Sequence, residues 1–247
     1  MRRGWLVGSL VLAVTLWGSA CDSKKGATTT SSSPSNGAAS STTANRHQPG
    51  DWVIYRYSGT FTKAPVKVVQ RVLSVETKDG KDRVTTGVHM ERGTERMKFV
   101  QVTDGSLASK KAGDFPSEVI EYLPGGKEQA LKGAEISSNV LFRLWNWTLP
   151  ANVQGQPKNR TQSQAKVGIG AASFDCTQEE VDSEIGGKPV HLVLRQCDGF
   201  PWYKGPSEVK LVDGTVYWQA DVLAYGTKDN FPAAEASAMD GKAPATP

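Results

Sequence analysis

Histidine and cysteine are scarce in this 247-residue chain, with three of each. His47, His89 and His191 stand far apart, and none has a second histidine or cysteine at ligand spacing, so zinc has no visible seat. Nucleophile motifs are missing too: no G-x-S-x-G elbow marks a serine as activated. Phosphate-loop and calcium-loop patterns are absent. Gly168-x-Gly170 is followed by FDCTQEE and a hairpin rather than by a helix, which excludes a dinucleotide loop. Charge of one sign is also lacking. Removing Arg2 and Arg3 with the export signal described next leaves 27 basic against 25 acidic side chains. The two signs alternate through the body, the pattern of a solvated surface rather than of a nucleic-acid interface. No metal, no cofactor and no catalytic residue is expected.

Nor is there an apolar run of membrane length. The uncharged stretch Trp5–Trp17 is shorter than the roughly 20 residues a membrane helix needs. Behind Arg2 and Arg3, and ahead of Gly18, Ser19 and Ala20, it reads as the apolar region of an export signal over residues 1–20. Large apolar side chains are then missing from Asp22 to Arg46. Such a stretch cannot bury enough surface to offset chain entropy, so it is expected to be a disordered linker. As a flexible coil it spans about 25–30 Å.

Between signal and linker stands Cys21. Gly18-Ser19-Ala20-Cys21 resembles the lipobox of bacterial lipoproteins, departing from it at Gly18, where that family has leucine. The resemblance implies that Cys21 becomes the acylated first residue. At about 0.8 kcal/mol per buried methylene, two or three acyl chains make attachment effectively permanent. It also implies a bacterial cell-envelope address, with the body outside the cytoplasm and the leaflet left open by Asp22. An ordinary secretory signal cut near Ala20, with Cys21 incidental, is the competing reading. At the other end, residues 230–247 (NFPAAEASAMDGKAPATP) are again poor in large apolar side chains and are expected to be disordered. One β-rich domain over 47–229 remains.

Three Asp-Gly pairs punctuate that body: Asp79-Gly80, Asp104-Gly105 and Asp213-Gly214. Asp-Gly favours the type I′ turns of two-residue hairpins. Counting back from the first turn puts Val75 opposite Val84, Leu73 opposite Thr86 and Val69 opposite Met90. The third turn puts Leu211 opposite Val216 and Val209 opposite Trp218. Period-two alternation of apolar residues on these flanks is what half-buried antiparallel strands require. Trp52–Tyr57 (WVIYRY) reads as the opening strand. One helix is expected from Ser137 or Ser138 through Val140, Leu141, Leu144 and Trp145, stopping before Pro150, while 151–164 reads as a polar loop. The expected fold is mainly β: a single curved antiparallel sheet or half-barrel of sequential hairpins, with that helix packed on it.

The remaining cysteines fit the same frame. A turn at Gly186-Gly187 sets Cys176 opposite Cys197, at a separation a disulfide can span in an exported protein. Two free buried thiols are the alternative. The register places the pair on the face away from Leu192 and Leu194, so either a bridge clamps the outer face or a bulge shifts the strand. His89 falls opposite Gln70 on the face away from Met90 and is expected to meet solvent. Glu179, Glu180, Asp182 and Glu184 crowd one strand and read as a solvated face. Two aromatic clusters remain. Phe142, Trp145 and Trp147 suit a core plug. Phe200, Trp202 and Tyr203, in the loop GFPWYKGP, are first read as packing but are the leading ligand or partner surface if there is one.

The run Cys197-Asp-Gly-Phe-Pro-Trp-Tyr-Lys-Gly, followed by a hairpin ending Leu223-Ala-Tyr225-Gly226, resembles periplasmic antiparallel-sheet domains akin to half-barrel lipoprotein-sorting carriers. The resemblance covers about 30 residues; it implies a curved sheet with an apolar concavity and transfers no catalytic residue. Three readings follow. The first is a membrane-anchored, non-catalytic binding or assembly module for an unknown envelope protein. The second is a carrier of an acyl chain or other apolar ligand in the concavity. The third is an enzyme with dispersed carboxylates converging in a cleft.

Overall fold

Eleven strands form one open antiparallel sheet. The computed structural model describes residues 47–78, 80–104, 116–123, 126–136, 142–148, 153–202 and 205–240. Cys21, Tyr203, the expected linker and the turn at Asp104-Gly105 beyond Asp104 lie outside them. The strands are β1 (Trp52–Ser58), β2 (Val66–Lys78), β3 (Lys81–Arg92), β4 (Glu95–Asp104), β5 (Glu118–Leu123), β6 (Lys127–Lys132), β7 (Val153–Ile169), β8 (Ala172–Ile185), β9 (Lys188–Cys197), β10 (Ser207–Leu211) and β11 (Val216–Gly226). Their spatial order is β6-β5-β4-β3-β2-β1-β11-β10-β9-β8-β7. The chain thus starts in the middle, meanders to one edge, crosses to the opposite edge and meanders back until its last strand pairs with its first. Short helices α1 (Ala134–Ile136) and α2 (Phe142–Thr148) lie on that crossing.

Each hairpin register agrees with its turn over one stretch and departs from it across a bulge. Val75 pairs with Val84 as expected, but Leu73 is an extra residue: Val72 faces Thr86 and Ser74 faces Thr85. Beyond this bulge Val68, not Val69, faces Met90, and Val69 faces His89. The cause is a change of parity in the apolar pattern. Val66, Val68 and Val72 enter the main core at even positions and Val75 packs against it from an odd one, so one residue must be looped out between them. Leu73 is accordingly left 46% exposed. The third hairpin is also shifted, but beside its turn and not beyond it. Val209 faces Trp218, but Lys210 rather than Leu211 faces Val216.

The segment expected as a loop, 151–164, instead supplies most of β7 from Val153 onward. It is an edge strand whose residues 158–164 are all exposed, so no apolar alternation was needed, and β8 supplies its pairing partner. The expected helix survives as α2, and its first residues, 137–141, fall outside the described ones. Residues 230–240, expected to be disordered, carry a 3₁₀ turn (Lys228–Asn230) and helix α3 (Ala233–Asp240).

The main core lies on the inner face, where Tyr55, Tyr57, Val68, Val88, Met90 and Phe99 meet Val190, Leu192, Val209 and Trp218. A second, small core of Trp52, Ile54 and Val69 lies on the outer face, with Ala224 and Phe231 packed against it. The opening strand WVIYRY is therefore covered on both faces.

Candidate functional site

The inner face is where a carrier would hold an apolar cargo, and the crossing between the sheet edges lands there. Trp147 of α2 and Trp218 of β11 are both buried in the main core. Trp218 Nε1 donates to the Thr148 carbonyl at 2.8 Å. The Tyr57 ring lies 6.2 Å from that of Trp218, and burial pushes its phenol well above the usual tyrosine range. On the far side of the helix, the Arg92 guanidinium sits over the Trp147 ring at 4.3 Å. Arg143 of α2 pairs with Glu121 of β5, a carboxylate only 3% exposed. The helix is thus fastened to strands from both halves of the sheet, and its indole occupies the space between. The side chains of Phe142 and Trp145 lie outside what is described.

The disulfide forms between Cys176 and Cys197 as the register required. No shift interrupts the pairing of β8 with β9, yet both cysteines belong to the main core together with Leu192, so the bridge is a core element and not the outer-face clamp that the register implied. It is not exposed, because the loop after Cys197 folds over it: a side chain at Gly205 would meet Cys197 Sγ at 3.0 Å. Phe200 of that loop packs edge-on against Phe174 (5.6 Å) and Tyr225 (5.4 Å). Phe200 and Trp202, first read as packing and as a partner surface only if there is one, are both buried. The Phe200 ring thus links Phe174, near the tip of the β7–β8 hairpin, to Tyr225 at the end of β11.

Trp202 has an unexpected partner. His47, placed by the sequence at the border of the disordered linker, is 4% exposed, with its ring 4.7 Å from the indole. Asp51 Oδ2 stands 3.7 Å from its Nδ1, too far for a hydrogen bond. Burial lowers the pKa of His47, with Asp51 opposing. The first described residue is therefore already inside the fold.

The outer face corrects His89. It does point away from Met90, but that face is covered there, and His89 is buried. What covers it is the C-terminal segment, which crosses β1, β2 and β3 in turn. Trp52 Nε1 donates to the Thr227 carbonyl at 2.8 Å and to Asn230 Oδ1 at 3.0 Å. Phe231 lies 5.6 Å from the Trp52 ring and beneath the Arg71 guanidinium, which is 4.6 Å from its centroid. Lys67 Nζ donates to Glu235 Oε1 at 2.9 Å and meets Glu91 Oε2 at 3.1 Å. Burial works against the Lys67 charge, but the hydrogen bonds that Lys67 donates to Glu235 and Glu91 outweigh it and hold the ammonium above its usual range. Burial lowers the pKa of His89, with Glu91 opposing. Sequence reasoning missed this arrangement. Its signal was the opening strand itself, since Trp52 and Ile54 alternate with Val53, Tyr55 and Tyr57, leaving Arg56 as its one exposed residue among 52–57.

The acidic strand is a paired surface. Glu179 meets Arg160, and Glu184 meets Lys158 at 3.7 Å. His191 lies between Glu180 (3.2 Å) and Asp182 (2.9 Å). The His191 hydrogen bond, with one from Asn159, holds the Asp182 carboxyl below its usual range. Among the described residues, no group of three metal-ligating side chains converges, and no helix is long and apolar enough to cross a membrane.

No family model and no curated protein matches the chain. Solved structures do align with it at low identity. A Parabacteroides distasonis protein assigned as a lipoprotein is 7% identical over 74% of this chain and 98% of its own, with a TM-score of 0.37. A Bacteroides fragilis protein assigned as exported, with a YmcC-like fold, is 10% identical over 73% of this chain and 97% of its own, with a TM-score of 0.36. MucB of Pseudomonas aeruginosa, in its complex with MucA, is 12% identical over 78% of this chain and 56% of its own, with a TM-score of 0.37. At such scores and identities the likeness does not reach function.

Proposed function

We propose that the chain is a lipid-anchored, non-catalytic binding module of the bacterial cell envelope, held on its membrane through Cys21 and acting on an envelope protein. The observation that carries this reading is the burial of His47. The described residues open at His47, directly after the Ser/Thr/Gly-rich stretch Asp22 to Arg46, whose composition suits a tether between a lipobox-like cysteine and the sheet. The paired carboxylates of β8 favour a solvated face over an acid–base cleft. The carrier reading is the less favoured one, because Trp147 and Trp218 occupy the inner face where cargo would lie.

Native mass spectrometry of the exported chain with Cys21→Ser, produced in an oxidising compartment, separates these readings. The expected mass is that of the unliganded chain, two hydrogens short for the Cys176–Cys197 bridge. A bound mass released as lipid on denaturation would move the carrier reading to the front.

A further inference from the structure

The C-terminal segment covers the only outer-face core among the described residues, yet it holds that core with few groups. Between Thr227 and Ala236, Phe231 is the one large apolar side chain, and residues 227–230 are exposed. Beyond that ring its contacts include the Trp52 indole bonds to Thr227 and Asn230, the packing of Lys228 against Gly50 and the part-buried Lys67–Glu235 pair. A short segment outside the sheet ladder opens locally at less cost than the ladder beneath it. The sheet side, by contrast, is a built receptor. Trp52, Ile54 and Val69 form an apolar floor that stays in the sheet ladder, and Arg71 and Lys67 stand along β2 on the same face.

We propose that this outer-face slot is a peptide-docking site that the chain's own C-terminal segment occupies in cis. The external partner it fits is a protein segment carrying an aromatic residue four positions ahead of an acidic one. The chemistry is read from the resident segment. Phe231 shows what the floor and the Arg71 cation accept: a ring with a negative face. Glu235, in the first turn of α3, shows what Lys67 accepts. An aliphatic segment would forgo the Arg71 contact, and a basic one would face Arg71 and Lys67 with like charge. Because the segment is tied to β11 at Gly226, it competes at an effective concentration of about millimolar. The slot therefore stays shut against weak ligands. The inference rests on the binding-module reading for the existence of a partner, but not for the site.

The test uses the soluble Cys21→Ser full chain and a fluorescently labelled peptide of residues 227–240 (TKDNFPAAEASAMD). Binding is compared between that chain and its Phe231→Ala/Glu235→Ala variant, whose resident segment has lost both anchors. The peptide is expected to bind the variant at least tenfold more tightly. A peptide with alanine at the Phe231 position is expected not to bind, and adding Arg71→Ala or Lys67→Ala to the variant is expected to weaken binding severalfold. Equal binding to both chains, or none to a variant with native circular dichroism, overturns the proposal. Should the variant fail to fold, hydrogen exchange on the unaltered chain decides. Amides of 228–240 are expected to exchange at least a hundredfold faster than those of β1 to β3, and exchange at a common rate overturns the proposal. None of these outcomes bears on the anchor at Cys21.

Discussion

Replacing Arg143 by methionine and, separately, Glu121 by glutamine probes how α2 is fastened over the inner face. The two groups form one ion pair, but the structure surrounds them differently: the Arg143 side chain is 44% exposed and that of Glu121 is 3% exposed. A pair with one member half in water adds little by itself, about 1 kcal/mol or less. The asymmetry lies in what each deletion leaves behind. Arg143→Met strands a buried carboxylate without its cation, and uncompensated burial of a charge costs about 3–5 kcal/mol. Glu121→Gln leaves an arginine that water can solvate and an amide that can still accept a hydrogen bond, so about 1 kcal/mol is expected. The double change Glu121→Leu/Arg143→Met removes the charge problem altogether and is expected within about 1 kcal/mol of the unaltered chain. Urea denaturation of the three variants under oxidising conditions measures all of this, with unchanged m-values as the check on two-state behaviour. Equal losses for the two single variants, or a double variant as unstable as Arg143→Met, would refute the reasoning.

Three further outcomes are expected. Removing the disulfide with Cys176→Ala/Cys197→Ala, whose partners are 21 residues apart, is expected to cost about 3 kcal/mol in the same urea assay. Leu73→Asn in the bulge is expected to change stability by no more than about 0.5 kcal/mol, whereas Val72→Asn buries an amide in the core and is expected to cost more than about 2 kcal/mol. Acidification is expected to destabilise the fold through His47. Its pKa in the fold is depressed below the ordinary 6.5, so its contribution is present above pH 6.5 and is lost as pH falls through the folded value. Thermal melts of His47→Gln between pH 7.5 and 5 are expected to show a shallower decline than those of the unaltered chain.

Much of the fold was legible because turns and apolar alternation speak locally. Asp-Gly and Gly-Gly turns located hairpins, and the Gly186-Gly187 turn placed Cys176 against Cys197 without error. What failed were inferences carried past a bulge. The parity change from Val72 to Val75 was present in the sequence, but a register counted from the turn alone has no means of inserting Leu73. Other errors came from coverings that are not local. His89 was placed on the correct face, and the segment that makes that face dry comes from the far end of the chain. His47 stood at the border of the linker, and its burial was not legible because Trp202, against which it packs, lies 155 residues later in the numbering. β7 looked like a loop because an edge strand with exposed side chains has no need of the alternation that marks a half-buried one. The aromatic loop was first read as packing, and Phe200 and Trp202 are indeed buried.

The anchored-module reading stands or falls on Cys21. Intact-mass analysis of the mature chain from a membrane fraction, with sequencing of its first peptide, tests it most directly. The expected result is a first residue Cys21 carrying two or three acyl chains, with Cys21→Ser releasing the protein from the membrane. A mature chain that begins at or after Cys21 with no acyl group, and that fractionates with soluble proteins, would contradict the account.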